Sequence, residues 1–394
     1  MSEIGRPQRI GLVAPYFPPQ IGGANIYCYE LAKAMASKGH DVHVFAHRES
    51  VSDPAYTLHP ILTLELARDL EQLDAFDMDV WHALFFFYAP LALRKPNVFV
   101  TGHGDDFFSL RIRRPLPGRA LIGKHLAWRF SETTRTKVEE LLQKAELGMN
   151  RRLYGRAMHR ARQVIAVSSY SRSRFCQAYP EAADKTTVVP PGVTDRFFRN
   201  GYPDKQKNLF LTVTRLDEGD RIKNVHSVIN ALAELKDDYD FRYRIIAGAV
   251  TGGYRQELEQ LIVDRGLENK VAIEGRKSEE ELAEYYARAD LFILASYAEA
   301  KNFEGFGIVF LEANAAGTPV LTTREGGMVD YVREGVNGFF TEDPSPAGIK
   351  SALKRYLDGE LRFDADRVRR APEPYRWTHI ADRVLDVYAA HGDR

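Results

Sequence analysis

Cysteine is nearly missing from this chain: Cys28 and Cys176 are the only two in 394 residues. They stand far apart and lack the close spacing of metal ligands, so neither a disulfide framework nor a cysteine-rich zinc site fits. Net charge is missing as well, with 54 Lys and Arg against 54 Asp and Glu. The overall balance therefore neither demands nor excludes an anionic partner, and no nucleic-acid partner is expected. Long apolar runs are absent too. The greasiest stretch, VWHALFFFYAPLAL from Val80, is shorter than a membrane span and matches a buried core element. The first residues, MSEIGRPQRIGLV, show no basic-then-apolar leader and run into a strand-like segment, so a cytoplasmic protein is expected. The GxGxxG fingerprint is also lacking, which argues against a dinucleotide-binding dehydrogenase.

What is present is alternation. Short β-branched or aromatic runs trade places with longer amphipathic segments, which predicts an α/β protein built from parallel sheets. Strands are expected in RIGLVAPYF, DVHVFAH, DVWHALFF, NVFVTGH, QVIAVSS and TTVVPPG, then in LFLTVTR, RYRIIAG, KVAIEG, LFILAS and PVLTT. A polar segment without periodicity, from Thr194, precedes the strand at Leu209 and marks a boundary. The expectation is an N-terminal Rossmann-like domain over 1–198 and a C-terminal one over 199–375. A last helix, about 376–394, would pack back on the first domain, and the cleft between the two sheets is where such folds bind ligands.

Charge is uneven locally. Residues 111–162 hold fourteen basic and four acidic side chains, a net of +10. That stretch could hold an anionic acceptor, rest on an acidic membrane surface, or form a solvated helix face. Asp77 and Asp79 look like a metal-binding carboxylate pair, but they precede their strand, at the wrong edge of the sheet, and read as turn residues; no metal is expected.

Three loops carry candidate chemistry. Gly22 and Gly23 open the first helix after the first strand, where their backbone could approach an anion or simply form a tight turn needing positive φ. Arg215 ends a strand and Lys223 is expected to start the next helix. Together they suit a diphosphate or else belong to a solvated loop. In NFEGFGIVFLEANAAGTPV, Glu304 precedes a helix expected from about Gly307 to Ala316, and Glu312 lies about 7–8 Å along its axis. The glycines between would expose backbone N–H groups to an anion. The carboxylates could then accept from sugar hydroxyls, or else one merely complements the helix dipole.

These residues resemble the retaining glycosyltransferases of the GT-B fold, the large family four. Glu304 and Glu312 in EGFGIVFLE match its pair of glutamates separated by seven residues. AGTPVLTTREGGMVDYVREGVNGFF, TRLDEGDRIKNV and IGGANIYCYELAKAMASKGHDVHVF resemble further landmarks in order, over nearly the whole chain. The resemblance implies a nucleotide-sugar donor, with a UDP-sugar favoured and a GDP-sugar as the alternative. It also implies a glycan, lipid-linked or small-molecule acceptor, and no cofactor. By the same resemblance Glu304 contacts the donor sugar and Glu312 the ribose, while Arg215 and Lys223 hold the diphosphate. Gly305, Phe306 and Gly307 lend backbone contacts, Arg276 and Lys277 face the base, and His103 contacts the transferred sugar. Asp105 and Asp106 either bind the acceptor or cap the next helix. Two positions depart from the family pattern: Pro191-Gly192 replaces an Asn-Gly, and Asp330 stands where a glutamate is usual. A nucleotide-sugar epimerase of the same fold and a non-catalytic nucleotide- or polyanion-binding protein are the rival readings.

Overall fold

A computed structural model of the chain describes residues 6–17, 22–47, 50, 52–104, 106–108, 147–198, 205–248 and 252–392. They form two compact units. The first comprises Met1–Ala166, Arg172–Val188 and Arg383–Arg394, and the second Val167–Ser171 and Val189–Asp382.

Among the described residues the first unit carries a seven-stranded sheet in the order β3-β2-β1-β4-β5-β6-β7. Its strands are β1 Arg9–Val13, β2 Asp41–His47, β3 Thr57–Leu62, β4 Val80–Ala83, β5 Val98–Gly102, β6 Gln163–Ala166 and β7 Thr186–Val188. The second unit carries a six-stranded sheet in the order β10-β9-β8-β11-β12-β13. Its strands are β8 Leu209–Thr214, β9 Arg242–Ala247, β10 Val271–Glu274, β11 Leu291–Leu294, β12 Val320–Thr322 and β13 Gly338–Phe340. Neighbouring strands in both sheets run parallel. Helices cover both faces of such sheets, so central strands are apolar throughout: VWHA in β4 and LFIL in β11 are buried at every position. In each sheet the chain reverses its winding direction once, between β1 and β4 in the first and between β8 and β11 in the second. The carboxyl ends of those strand pairs are where α/β sheets leave a crevice for ligand.

Four local expectations are corrected. β3, TLHPIL, was not anticipated; it is a half-exposed edge strand whose Pro60 breaks the apolar pattern, and an edge tolerates proline. β13 is three residues long, too short to show periodicity. The strand expected through RIGLVAPYF stops at Val13. The apolar run from Val80 divides into β4 and a 3-10 stretch, Phe86–Leu93, containing Pro90. Asp79, just before β4, accepts the Arg9 backbone N–H (2.8 Å) at the start of neighbouring β1, a contact across the sheet and not the local turn expected of it. Most of the basic 111–162 stretch falls outside the described residues. Its described end forms a helix over 147–160 with Arg151, Arg152, Arg156 and Arg160 exposed and Tyr154, Ala157 and Met158 buried. Among the described residues no helix is long and apolar enough to cross a membrane.

The last helix, Trp377–His391, brings Tyr388 into the first unit. There its hydroxyl bonds His82 Nδ1 (2.6 Å), and His82 Nε2 bonds Thr101 Oγ1 (2.7 Å). Burial pushes the His82 pKa down to about 3, so the imidazole is neutral and needs both partners.

Candidate functional site

In the second unit the loops leaving β8 and β11 meet at the switch point. Arg215 directly follows β8, and buried Asp220 accepts from its guanidinium (3.0 Å). Burial opposes the Arg215 charge, but Asp220 and the neighbouring carboxylates outweigh it and hold its pKa above the ordinary value. Lys223 does not begin the following α-helix, contrary to expectation. It ends a 3-10 turn, Glu218–Lys223, and the α-helix starts at Val225 after Asn224 takes up a left-handed conformation (φ 61°). That kink is held by the Asn224 amide, which donates to the carbonyls of Ala295 (3.0 Å) and Pro344 (2.7 Å). The two loops are stitched further by Tyr297 N–H to the Ile222 carbonyl (2.9 Å) and by the Asn302 amide to the Gly219 carbonyl (2.9 Å). Lys223 Nζ thereby reaches Glu304 Oε2 in a close ion pair, with both side chains largely buried.

The helix beyond Glu304 runs Ile308–Ala315, one residue shorter at each end than expected. Gly307 precedes it at φ 87°, where a Cβ would also strike the Phe310 ring at 2.5 Å, so glycine is required there. Phe306 is buried, with Tyr331 and Tyr375 ring centroids each 6.1 Å away, and anchors the loop from below. Ser171 Oγ donates to the Gly305 carbonyl (3.2 Å). Gly326 and Gly327 lie against the same loop: Gly327 N–H donates to the Glu304 carbonyl (2.9 Å), and a Cβ on Gly327 would lie 1.8 Å from the Gly305 oxygen. Asp330, the departure from the family pattern, accepts the Ser169 N–H (2.6 Å). Gly192, beside Pro191, is overlain by Trp377, which a Cβ would meet at 2.5 Å.

Glu312 is 6% exposed, on the fifth residue of its helix, and accepts the Tyr286 hydroxyl at Oε2 (2.8 Å). Burial pushes its carboxyl up to about 7, against the opposing pull of Tyr286 and of Arg196.

In the first unit Gly22 is extended (φ 175°) and Gly23 is the first helical residue. The tight turn with positive φ is not formed at Gly22. Among the described residues a Cβ there would meet nothing nearer than Asn25 Nδ2 at 3.9 Å. His103, just past β5, bonds the Leu84 carbonyl through Nε2 (2.7 Å), which places the proton on Nε2 and leaves Nδ1 an acceptor. Burial lowers its pKa to about 4, so it is neutral. Asp106 accepts the backbone N–H groups of His103 (3.0 Å) and Phe86 (3.2 Å), both earlier in the chain. Asp105 lies outside the described residues.

Two family models cover the chain in succession: Glycosyltransferase Family 4 matches residues 21–197, and Glycosyl transferases group 1 matches 193–373. The chain belongs to glycosyltransferase family four. It is a glycosyltransferase acting on nucleotide sugars. Among its relatives is the D-inositol 3-phosphate glycosyltransferase of Acidothermus cellulolyticus, 28% identical over 97% of this chain and 90% of the relative. Another is the GDP-mannose-dependent alpha-(1-6)-phosphatidylinositol monomannoside mannosyltransferase of Mycobacterium tuberculosis, 26% identical over 96% of this chain and 97% of the relative. The GT-B fold is shared with sucrose-phosphate synthase from Thermosynechococcus elongatus, with a TM-score of 0.73, 20% identity and coverage of 97% and 98% of the two chains. It is shared also with Anabaena HepE in complex with UDP and glucose, with a TM-score of 0.70, 20% identity and coverage of 97% and 100%.

In this glycosyltransferase Arg276 is exposed beyond β10, whereas Lys277 is engaged by Glu274 (2.8 Å) and lies 5.3 Å from the Tyr285 ring centroid. Residues not singled out from the sequence also shape the site. Asp220 and Asn224 hold the basic pair, Gly326 and Gly327 seat the glutamate loop, and Tyr286 holds Glu312. The paired glycines were visible as a motif. Tyr286, within a Tyr-Tyr pair on an amphipathic helix, is indistinguishable in sequence from core.

Proposed function

We propose that this family-four enzyme transfers a hexose from a nucleoside diphosphate sugar to an acceptor hydroxyl with retention of configuration. The observation that carries the proposal is the Lys223–Glu304 pair at the β8/β11 switch point, beside Arg215 and the glycine-flanked start of the helix Ile308–Ala315. Separating a sugar cation from its diphosphate builds negative charge on the leaving group. Preorganised cations and helix-end N–H groups stabilise charge of that kind. Lys223 then exchanges part of its contact with Glu304 for a phosphate oxygen, freeing the carboxylate to accept sugar hydroxyls. Because these cations take up the developing charge, the reaction is proposed to need neither a divalent metal nor a cofactor.

Glu312 is proposed to take the ribose, Arg276 and Lys277 the base, Gly22 and Gly23 a donor anion, His103 the transferred sugar, and Asp105 and Asp106 the acceptor. Neutral His103 offers Nδ1 as a hydroxyl acceptor and no charge. The acceptor hydroxyl attacks from the leaving-group face, and a phosphate oxygen takes its proton. A UDP-hexose is the first donor proposed. GDP-mannose is the second, because one relative is described as GDP-mannose-dependent. An acceptor carrying an inositol or a lipid is suggested by the same relatives, and the basic 111–162 stretch would suit a peripheral contact with an acidic membrane. The test is release of nucleoside diphosphate from a panel of both donor types. Acceptor-stimulated release, abolished by Glu304→Ala with the fold intact, is expected. Isomerisation without acceptor would instead mark an epimerase, and no release would mark a binding protein.

A further inference from the structure

Tyr286 lies on the helix Glu279–Arg288 that follows β10, and its ring is fully buried, with Phe197 and Phe292 ring centroids each 5.7 Å away. The helix start is fixed by a reciprocal cap in which Ser278 and Glu281 each accept the other's backbone N–H. The one polar atom of the Tyr286 side chain therefore has a fixed position, and its hydroxyl donates to Glu312 Oε2 (2.8 Å). Glu312 Oε1 has no hydrogen-bond partner among the described residues. A buried carboxylate with one oxygen held and the other left open is oriented for a ligand rather than merely packed. The Arg196 charge also acts on this carboxylate, and Arg196 itself pairs with Glu279 on the helix that carries Tyr286. One helix thus sets both neighbours of Glu312.

We infer that Tyr286 is a positioning residue for nucleotide recognition: its hydroxyl fixes the Glu312 carboxylate so that Oε1 accepts the ribose hydroxyls of the donor. This rests on the ribose role proposed for Glu312. Burial alone would leave that carboxyl protonated and a poorer acceptor, and the Tyr286 hydrogen bond favours the ionised form that the ribose requires.

The test compares binding of UDP, GDP and their 2′,3′-dideoxy forms to the wild type, Tyr286→Phe, Glu312→Gln and the double variant by calorimetry. The wild type should prefer one ribonucleotide over its dideoxy form. Tyr286→Phe should cost the ribonucleotide about tenfold, the scale of a hydrogen bond to a charged group, and leave dideoxy binding unchanged. The double variant should bind no more weakly than Glu312→Gln alone. Unchanged dideoxy binding also reports that the variant is folded. Equal losses for both ligands, or additive losses in the double variant, would show Tyr286 to be structural and overturn the inference. A wild type without ribose preference would refute the ribose role of Glu312, and one that binds neither nucleotide would refute the proposed donor site itself.

Discussion

Glu312 holds its proton more tightly in the folded protein than in an unfolded chain, because burial raises its carboxyl from 4.5 to about 7. Its contribution to stability is complete below about pH 4.5 and is lost as pH rises through about 7, amounting to at most about 3 kcal/mol. Glu312→Gln should therefore flatten stability between pH 5 and pH 8, read as the change in urea midpoint between the two pH values. An unchanged slope would mean that Glu312 is not the group responsible. At this scale the loop positions of Arg215 and Glu304 were legible, since both follow recognisable strands. What holds them was not: Asp220, Asn224 and Tyr286 act through contacts between segments distant in sequence, and no local pattern announces such contacts.

The loop between β11 and its helix owes its shape to a second loop, Arg324–Asp330, laid against it. Gly327 approaches the Gly305 carbonyl so closely that any side chain would force the two apart. Gly327→Ala should lower stability by about 1–3 kcal/mol, the usual cost of overpacking, and should weaken nucleotide binding because the Gly305–Gly307 N–H groups shift. A variant with wild-type affinity would show that these N–H groups do not bind the donor. Ser278→Ala, which removes only a helix cap, should cost about 1 kcal/mol and leave the glycine loop intact. Denaturant midpoints paired with binding titrations separate the two effects. Central strands were legible because apolar runs mark them. β3 and β13 were not, the one because proline and polar residues sit at a tolerant edge, the other because three residues carry no period.

Over the whole molecule the alternation of strands and helices made both parallel sheets readable, and the order of motifs made the family readable. The attachment of the last helix has a more particular basis, because Tyr388 supplies one of two hydrogen bonds to a buried neutral histidine. Tyr388→Phe strands His82 Nδ1 and should destabilise the protein by about 1–3 kcal/mol. An unaltered thermal midpoint would show that the bond adds nothing. The central claim is that the β8/β11 edge binds a nucleoside diphosphate through Arg215 and Lys223. It is tested most directly by calorimetric titration of UDP and GDP into the wild type and Lys223→Ala. Removing Lys223 deletes a cation and leaves Glu304 unpaired beside the phosphates. The prediction is binding of one nucleotide to the wild type and a loss of at least about tenfold in the variant. Equal affinity in both proteins, or no binding of either nucleotide to the wild type, would contradict it.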